Sequence, residues 1–516
     1  MRRALPIAGS FLFLSLASIA AAQDATEEKV NAALPKLEAY ADGLVKNGEV
    51  PGLAVGVVYK DRIVYLWGFG VREEGPDAGK REAVDYDTVF QIASLSKSVS
   101  STVVAALVSR GKVAWDSRIA DIDPGFRLSE AYPSAEVTVT DLFAHRSGLP
   151  GNAGNELEEL GFPRNQILTR LRLVKPASSF RAGYSYSNFG LTEGAVAAAR
   201  AAGLSWEDAA AQMLFEPLGM TSTSYRHDDF LASENRAALH VRRDGKWEAL
   251  SRRDPDAQAP AGGVSSSARD LSEWMRLVLA GGAFDGTALI DEAAMDAMHE
   301  PLMWRGFHPV TGYPSYYGRG WNVEFTRHGI VWGHAGAFSN GARTVVSLLP
   351  GEGLGIVVLA NAFPTGVPEA VAGTFFDLVF DGRPEQDWLE PWNKLYESLF
   401  GPAIEAAGAA YGTPPADAAP ALPLSAYAGA YANDYLGRAV VAEEDGGLVL
   451  RLGPQGETRY PLTHFARDLF VYRPYDEMPG MPAAATFRVG PDGMAQALTL
   501  EDLDDLGMGT LTRSDR

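Results

Sequence analysis

The chain of 516 residues contains no cysteine. That excludes disulfides, thiol nucleophiles, cysteine metal sites and a lipid-modified cysteine behind a leader. Long apolar runs are also scarce. The N-terminal one, through Leu12, Phe13, Leu14 and Leu16, is short and broken by Pro6, Gly9 and Ser10, and no later stretch has the length of a membrane span. Basic residues are outnumbered, 45 Lys and Arg against 65 Asp and Glu, for a net charge of −20. The acids are dispersed, so there is no basic face for nucleic acid, and the charge serves solubility. The eight histidines are scattered, without a His-Glu-x-x-His pattern or a close carboxylate cluster, so no metal or cofactor is expected.

The N-terminus has the layout of an export signal: Arg2 and Arg3, the apolar run, then Ala20-Ala21-Ala22 before Gln23. Residues 1–22 are read as a signal peptide, leaving a periplasmic or secreted chain with no stable membrane span. The length allows two or three domains.

Glu27 to Val45 carries Val30, Leu34, Leu37, Tyr40 and Leu44 at helical spacing, with Pro35 as a kink point. Leu53–Tyr59 and Ile63–Gly68 are β-rich runs joined by Lys60-Asp61-Arg62, a hairpin. From Ser117 to about Ala280 the pattern is mainly helical. Strand signals return beyond Gly318, in 321–325, 330–332, 344–349 and 354–359, and helices follow at 368–380 and 388–400. Strands at both ends around a helical middle predict an α/β domain over 23–400, a mainly antiparallel sheet assembled from the two ends. An Ala/Pro-rich linker (401–423) and a small all-β barrel or sandwich (424–516) complete the chain.

The chemistry centres on Val89 to Arg110. Ser94-Leu95-Ser96-Lys97 places a hydroxyl and an amine three residues apart where an extended segment becomes an apolar helix, so both lie on one face. A helix N-terminus favours the negative charge that an attacking serine generates. The apolar run Val103 to Val108 would carry the helix through the core, where a desolvated lysine can act as a neutral base. Ser94 could equally be a plain N-cap. A second copy, Ser109-Arg110-Gly111-Lys112, ends the same helix, where the dipole has the wrong sign.

Tyr186-x-Asn188 offers a phenol for proton transfer and an amide to orient lysine and substrate; Tyr431-Ala432-Asn433 repeats the pattern in the β-rich tail. His145 is read as fixing a turn through hydrogen bonds. The small-residue run Pro260 to Ser267 suits the lining of a cleft. His334-Ala335-Gly336-Ala337 would be a strand whose edge can pair with substrate, with the Ala337 N–H joining that of Ser94 as an oxyanion donor.

Ser94-x-x-Lys97, Tyr186-x-Asn188 and His334-Ala335-Gly336, in that order, resemble the serine β-lactamase and penicillin-binding-protein superfamily. The Tyr-x-Asn form is similar to its class C β-lactamase, D-alanyl-D-alanine carboxypeptidase and esterase branch. Leu142–Leu149 and Pro217–Met220 fit as well, and the resemblance covers about Glu27 to Phe380. It implies Ser94 as the acylated nucleophile and Lys97 and Tyr186 as the proton-transfer pair, either taking the first proton. It also implies that Asn188, His334, Gly336 and Ala337 bind substrate. Lys-Thr-Gly in β-lactamases and transpeptidases is here His334-Ala335-Gly336, which removes a permanent cation and a hydroxyl suited to a substrate carboxylate. Arg343 is a candidate to replace the charge. Esterase or D-amino-acid peptidase is therefore favoured, with β-lactamase or D-alanyl-D-alanine carboxypeptidase as the alternative. A sensor that acylates without turnover is the third reading. The expected partner is a small-molecule or peptide substrate; the oligomeric state is open.

Overall fold

The computed structural model describes residues 24–74, 82–251, 253–474 and 481–514. The expected signal segment, 1–22, lies outside the described residues. The chain begins with helix α1 (Glu27–Lys46), which contains Pro35, and the hairpin β1 (Gly52–Tyr59) and β2 (Arg62–Gly70). Lys60 and Asp61 turn that hairpin with φ of 46° and 56°. The other sheet strands are β3 (Met303–Phe307), β4 (Pro314–Tyr317), β5 (Asn322–Thr326), β6 (Gly329–Phe338), β7 (Ala342–Leu349) and β8 (Leu354–Ala360). They form an eight-stranded sheet in the order β2-β1-β8-β7-β6-β5-β4-β3, every pair antiparallel. The two ends of the domain meet at the β1–β8 pairing.

All eight residues of β1 are buried because both faces of the sheet are covered. Leu53, Val55, Val57 and Tyr59 join a core formed with Val30 and Leu37 of α1 and with helix α5 (Val367–Asp381). Ala54 and Val58 face the other way, into the core of helices α2 (Ser96–Ser109), α3 (Asn188–Ala201) and α4 (Ala268–Leu279). The same alternation continues in β7, where Val345 and Leu349 take the α1/α5 side and Val346 and Leu348 the other. The second layer holds the candidate site.

Three expectations are corrected. The helical middle also contains a hairpin, Leu239–Arg243 with Lys246–Ser251, turned at Asp244-Gly245; the Asp-Gly pair between alternating residues is its sequence signal. β3 and β4, before Gly318, extend the sheet beyond the expected strands. The start of the supposed linker is helical, since α6 (Leu389–Tyr411) runs through Pro402 into the alanines. Alanine's helix propensity outweighs the loop reading there.

The tail is a closed eight-stranded barrel, from β9 (Gly429–Asn433) to β16 (Thr510–Ser514). It docks on the helical layer at Tyr435, whose hydroxyl accepts from Gly154 N at 3.0 Å and donates to Glu156 Oε2 at 3.2 Å.

Candidate active site

Ser94 sits in a 3₁₀ turn, Ala93–Leu95, immediately before α2. It does not cap the helix: Leu95 holds the N-cap position and makes no side-chain cap bond, so the capping role is excluded. Ala93 is fully buried with φ of 48°, a left-handed conformation that costs a non-glycine residue about 1 kcal/mol or more. The strain tips the serine out of its buried neighbours, and Ser94 is the half-exposed residue of the turn.

Lys97 is fully buried. Its Nζ donates to Ser94 Oγ at 3.0 Å and to the Ala261 carbonyl at 2.9 Å, so the small-residue loop does line the site. The amine also stands 4.5 Å from the centre of the Tyr186 ring. Burial holds the Tyr186 phenol well above the usual value, an effect larger than the opposing influence of nearby Ser94, so it keeps its proton. Asn188 opens α3 just behind it; its Oδ1 is buried and without a partner, an acceptor left over for a ligand donor.

Strand β6 forms the opposite wall. Gly336 faces the serine turn so closely that a Cβ there would lie 2.0 Å from Ile92 O and 3.0 Å from Leu95 N. Only glycine permits this approach. Thr344, paired with Gly336, fixes the same turn through Oγ1 to Ile92 O at 2.8 Å. β5 pairs only with residues 329–333 of β6. From His334 through Ala337 the strand therefore has β7 on one side and an open edge on the other.

His334 is buried, and its pKa is pushed down to about 3, by burial first and by the charge of Lys97 second. Its Nδ1 lies 2.7 Å from the Ala335 carbonyl, which can only accept, so Nδ1 carries the proton. Nε2 of this neutral ring then accepts from the Tyr317 hydroxyl at 2.9 Å. Both nitrogens are occupied and the side chain carries no charge; what β6 offers a substrate here is backbone.

Tyr317 is a site residue the motifs did not disclose. With His145 and Tyr184 it builds an aromatic cluster behind Tyr186, the His145 ring lying 4.5 Å from that of Tyr186 and 4.9 Å from that of Tyr317. His145 has φ of 54°, and its Nδ1 accepts from Ser187 N at 3.1 Å, so it holds the turn carrying Tyr186. Arg305 of β3 was also missed. It is exposed, donates to Asn322 Oδ1 at 2.6 Å, and places its guanidinium 5.5 Å from the Tyr184 ring and 5.9 Å from that of Tyr317.

Arg343 does not replace the missing cation. It lies in phase with Val345, on the α5 side of the sheet, where Nε donates to Glu369 Oε1 at 2.8 Å and the guanidinium stacks on Tyr396. Both decoys are structural. Ser109 Oγ accepts from Asp291 N at 2.9 Å. In the barrel, Tyr431 donates to Tyr427 O at 2.6 Å and Asn433 Nδ2 to Met508 O at 2.7 Å.

Residues 37–377 match the Beta-lactamase family, and residues 413–509 a domain of unknown function (DUF3471). An unguisins hydrolase of Aspergillus campestris is 26% identical over 469 residues, 86% of this chain and 85% of the relative. Penicillin-binding protein 4 of Amycolatopsis lactamdurans is 28% identical over 66% of this chain and 86% of its own length. The D-alanyl-D-alanine-carboxypeptidase/endopeptidase AmpH of Escherichia coli is 24% identical over 70% and 92%. Among solved structures, an octameric penicillin-binding protein homologue from Pyrococcus abyssi shares the fold with a TM-score of 0.56 at 18% identity, covering 91% of this chain and 98% of that one. The match across most of the domain that carries Ser94 and Lys97 settles the kinship: the chain belongs to the Beta-lactamase family and is a serine hydrolase.

Proposed function

We propose that this chain is an exported hydrolase that cleaves an ester or amide bond through a Ser94 acyl-enzyme, as an esterase or D-amino-acid peptidase. The observation that carries the chemistry is the bond from buried Lys97 Nζ to Ser94 Oγ. Deprotonated, the amine takes the serine proton as Oγ attacks the carbonyl. Tyr186, kept protonated by burial, donates to the leaving group and recovers a proton by way of Lys97. The Ser94 and Ala337 amides receive the oxyanion, and the open edge of β6 holds the acyl side as an added strand. Asn188 Oδ1 accepts from the substrate. Water then releases the acid.

The neutral, fully engaged His334 supports an ester or peptide substrate over one anchored by a carboxylate at that strand. The kinship with AmpH and penicillin-binding protein 4 favours the second reading, a carboxypeptidase or β-lactamase. Export rests on the leader pattern of residues 1–22.

The test is intact-mass spectrometry during turnover of p-nitrophenyl acetate and, separately, nitrocefin, with the mature chain and Ser94→Ala. Ester turnover with a transient Ser94-dependent adduct and little nitrocefin hydrolysis is expected. Fast nitrocefin turnover would hand the assignment to the second reading, a lasting adduct would make the chain a sensor, and unchanged activity in Ser94→Ala would remove the nucleophile.

A further inference from the structure

Across the sheet from Ser94, between β6 and β7 on one side and α5 and the start of α6 on the other, lies a cavity of about 200 Å³. Ala335 and Val345 form its floor, and Phe376, Trp388 and Trp392 its walls. The indoles are set in place by their surroundings. A Cβ on Gly373 would stand 3.0 Å from the Trp388 ring, and one on Gly366 2.4 Å from Trp392 Cβ, so both glycines are needed to seat them. Trp388 Nε1 donates to Asp377 Oδ2 at 2.7 Å, and the His308 ring meets Trp392 edge-on at 5.2 Å. The aromatic side of the cavity is thus held in place by its own packing.

Two polar atoms in its lining are unfinished, Nε2 of His328, whose ring stacks on Phe380 at 4.2 Å, and Oε2 of Glu369. Glu369 is 7% exposed. Its Oε1 accepts from Arg343 Nε at 2.8 Å and from the Tyr396 hydroxyl at 2.9 Å, while Oε2 is buried and has no partner. Of the other carboxylates on the lining, Asp377 and Glu385 are met by Arg327 Nη2, at 3.0 and 3.2 Å, and Glu324 Oε1 accepts from Ser315 Oγ at 3.4 Å. That guanidinium also answers the apparent metal cluster of His328, Asp377 and Asp381, since it bridges the two carboxylates a cation would need. The carboxylate acceptor left open is Glu369 Oε2, beside aromatic faces that attract positive charge. A buried carboxylate oxygen without a donor is costly, and a ligand N–H would relieve it. An apolar cavity of about 150 Å³ holds benzene, so this one has room for an aryl ring with a short tail.

We propose that this cavity binds a small organic amine, its apolar body among Phe376, Trp388 and Trp392 and its ammonium donating to Glu369 Oε2. The site lies across the sheet from the Ser94 cleft and shares β6 with it, through His334 and Ala335.

The test is calorimetric titration of the full mature chain with phenethylammonium chloride and with 2-phenylethanol, which has the same body without the charge. Saturable one-to-one binding of the amine, about tenfold tighter than the alcohol, is expected. Ala372→Leu fills the cavity from α5 without touching the Ser94 cluster; it should abolish binding while p-nitrophenyl acetate turnover stays within about twofold. Glu369→Gln should bring the amine down to the affinity of the alcohol. Should that variant fail to fold, because it also holds Arg343, the ligand pair and Ala372→Leu still decide. Equal binding of amine and alcohol, no binding of either, or wild-type binding by Ala372→Leu would each overturn the proposal.

Discussion

Helix α2 carries Ser-x-x-Lys twice, once at each end, and the two copies have different surroundings. At its start, Lys97 is fully buried, its amine held between Ser94 Oγ and a main-chain carbonyl, while a strained turn lifts the serine toward solvent. At its end, Ser109 does no more than accept a backbone N–H, and Gly111 closes the helix in the left-handed conformation. Tyr-x-Asn is likewise duplicated: the Tyr186 ring lies against the Lys97 amine beside the serine, whereas Tyr431 bonds a carbonyl inside the barrel. Residue spacing is the same in each pair. What sets one copy apart as the candidate is burial of a titratable group next to a partly exposed hydroxyl, with a second chain segment pressed against both.

That contrast can be broken experimentally. Ser94→Ala should lower ester kcat/KM on the order of 10⁴-fold or more, and Ser109→Ala should leave it within about twofold; equal losses would mean the copies are not distinguished by context. Tyr186→Phe should lower kcat by about 10²- to 10⁴-fold with little change in KM. Tyr431→Phe should leave kcat alone and cost about 1 kcal/mol in urea unfolding, the worth of a buried hydrogen bond.

A smaller effect separates the two units by pH. Burial at the barrel seam raises Glu156 to about 7, above the ordinary 4.5. The folded chain therefore keeps a proton there that the unfolded chain gives up. Stability should be highest at the acid end of that interval and fall as pH rises through it to 7, by on the order of 2 kcal/mol for this group. Glu156→Gln should flatten that part of a melting-temperature profile. His334, titrating near 3, adds no inflection to kcat in the same window. The mildest change is at the mouth of the cleft. Arg305→Gln should raise KM for p-nitrophenyl hemisuccinate about threefold at low salt and leave p-nitrophenyl acetate unchanged, since an exposed guanidinium is well screened.

The order and local setting of Ser94, Lys97, Tyr186, Asn188 and Gly336 were legible, because each lies in a short run with its own periodicity or turn chemistry. The α/β sheet built from both ends and the β-rich tail were legible from strand patterning. Tyr317 and Arg305 were not: they sit on short strands of mixed polarity, and their importance arises from the rings brought to them from 145, 184 and 186. The direction of Arg343 follows from strand parity, but only once Thr344 is known to face Ile92. The cavity behind Ala335 depends on where α6 comes to rest, which no local pattern encodes.

The contact of Gly336 with the turn at Ile92–Leu95 has a temporal consequence. Ser94 and its lysine are synthesised early, yet the strand that faces them comes near the end of the domain, and β1 stays unpaired on one side until β8 is made. Closing so long a loop is a late event in folding. On the proposed reading, a nascent or truncated chain holds Ser94 without the wall that would align a substrate against it, so the hydrolase would be latent by topology and its first turnover would report that the domain is complete.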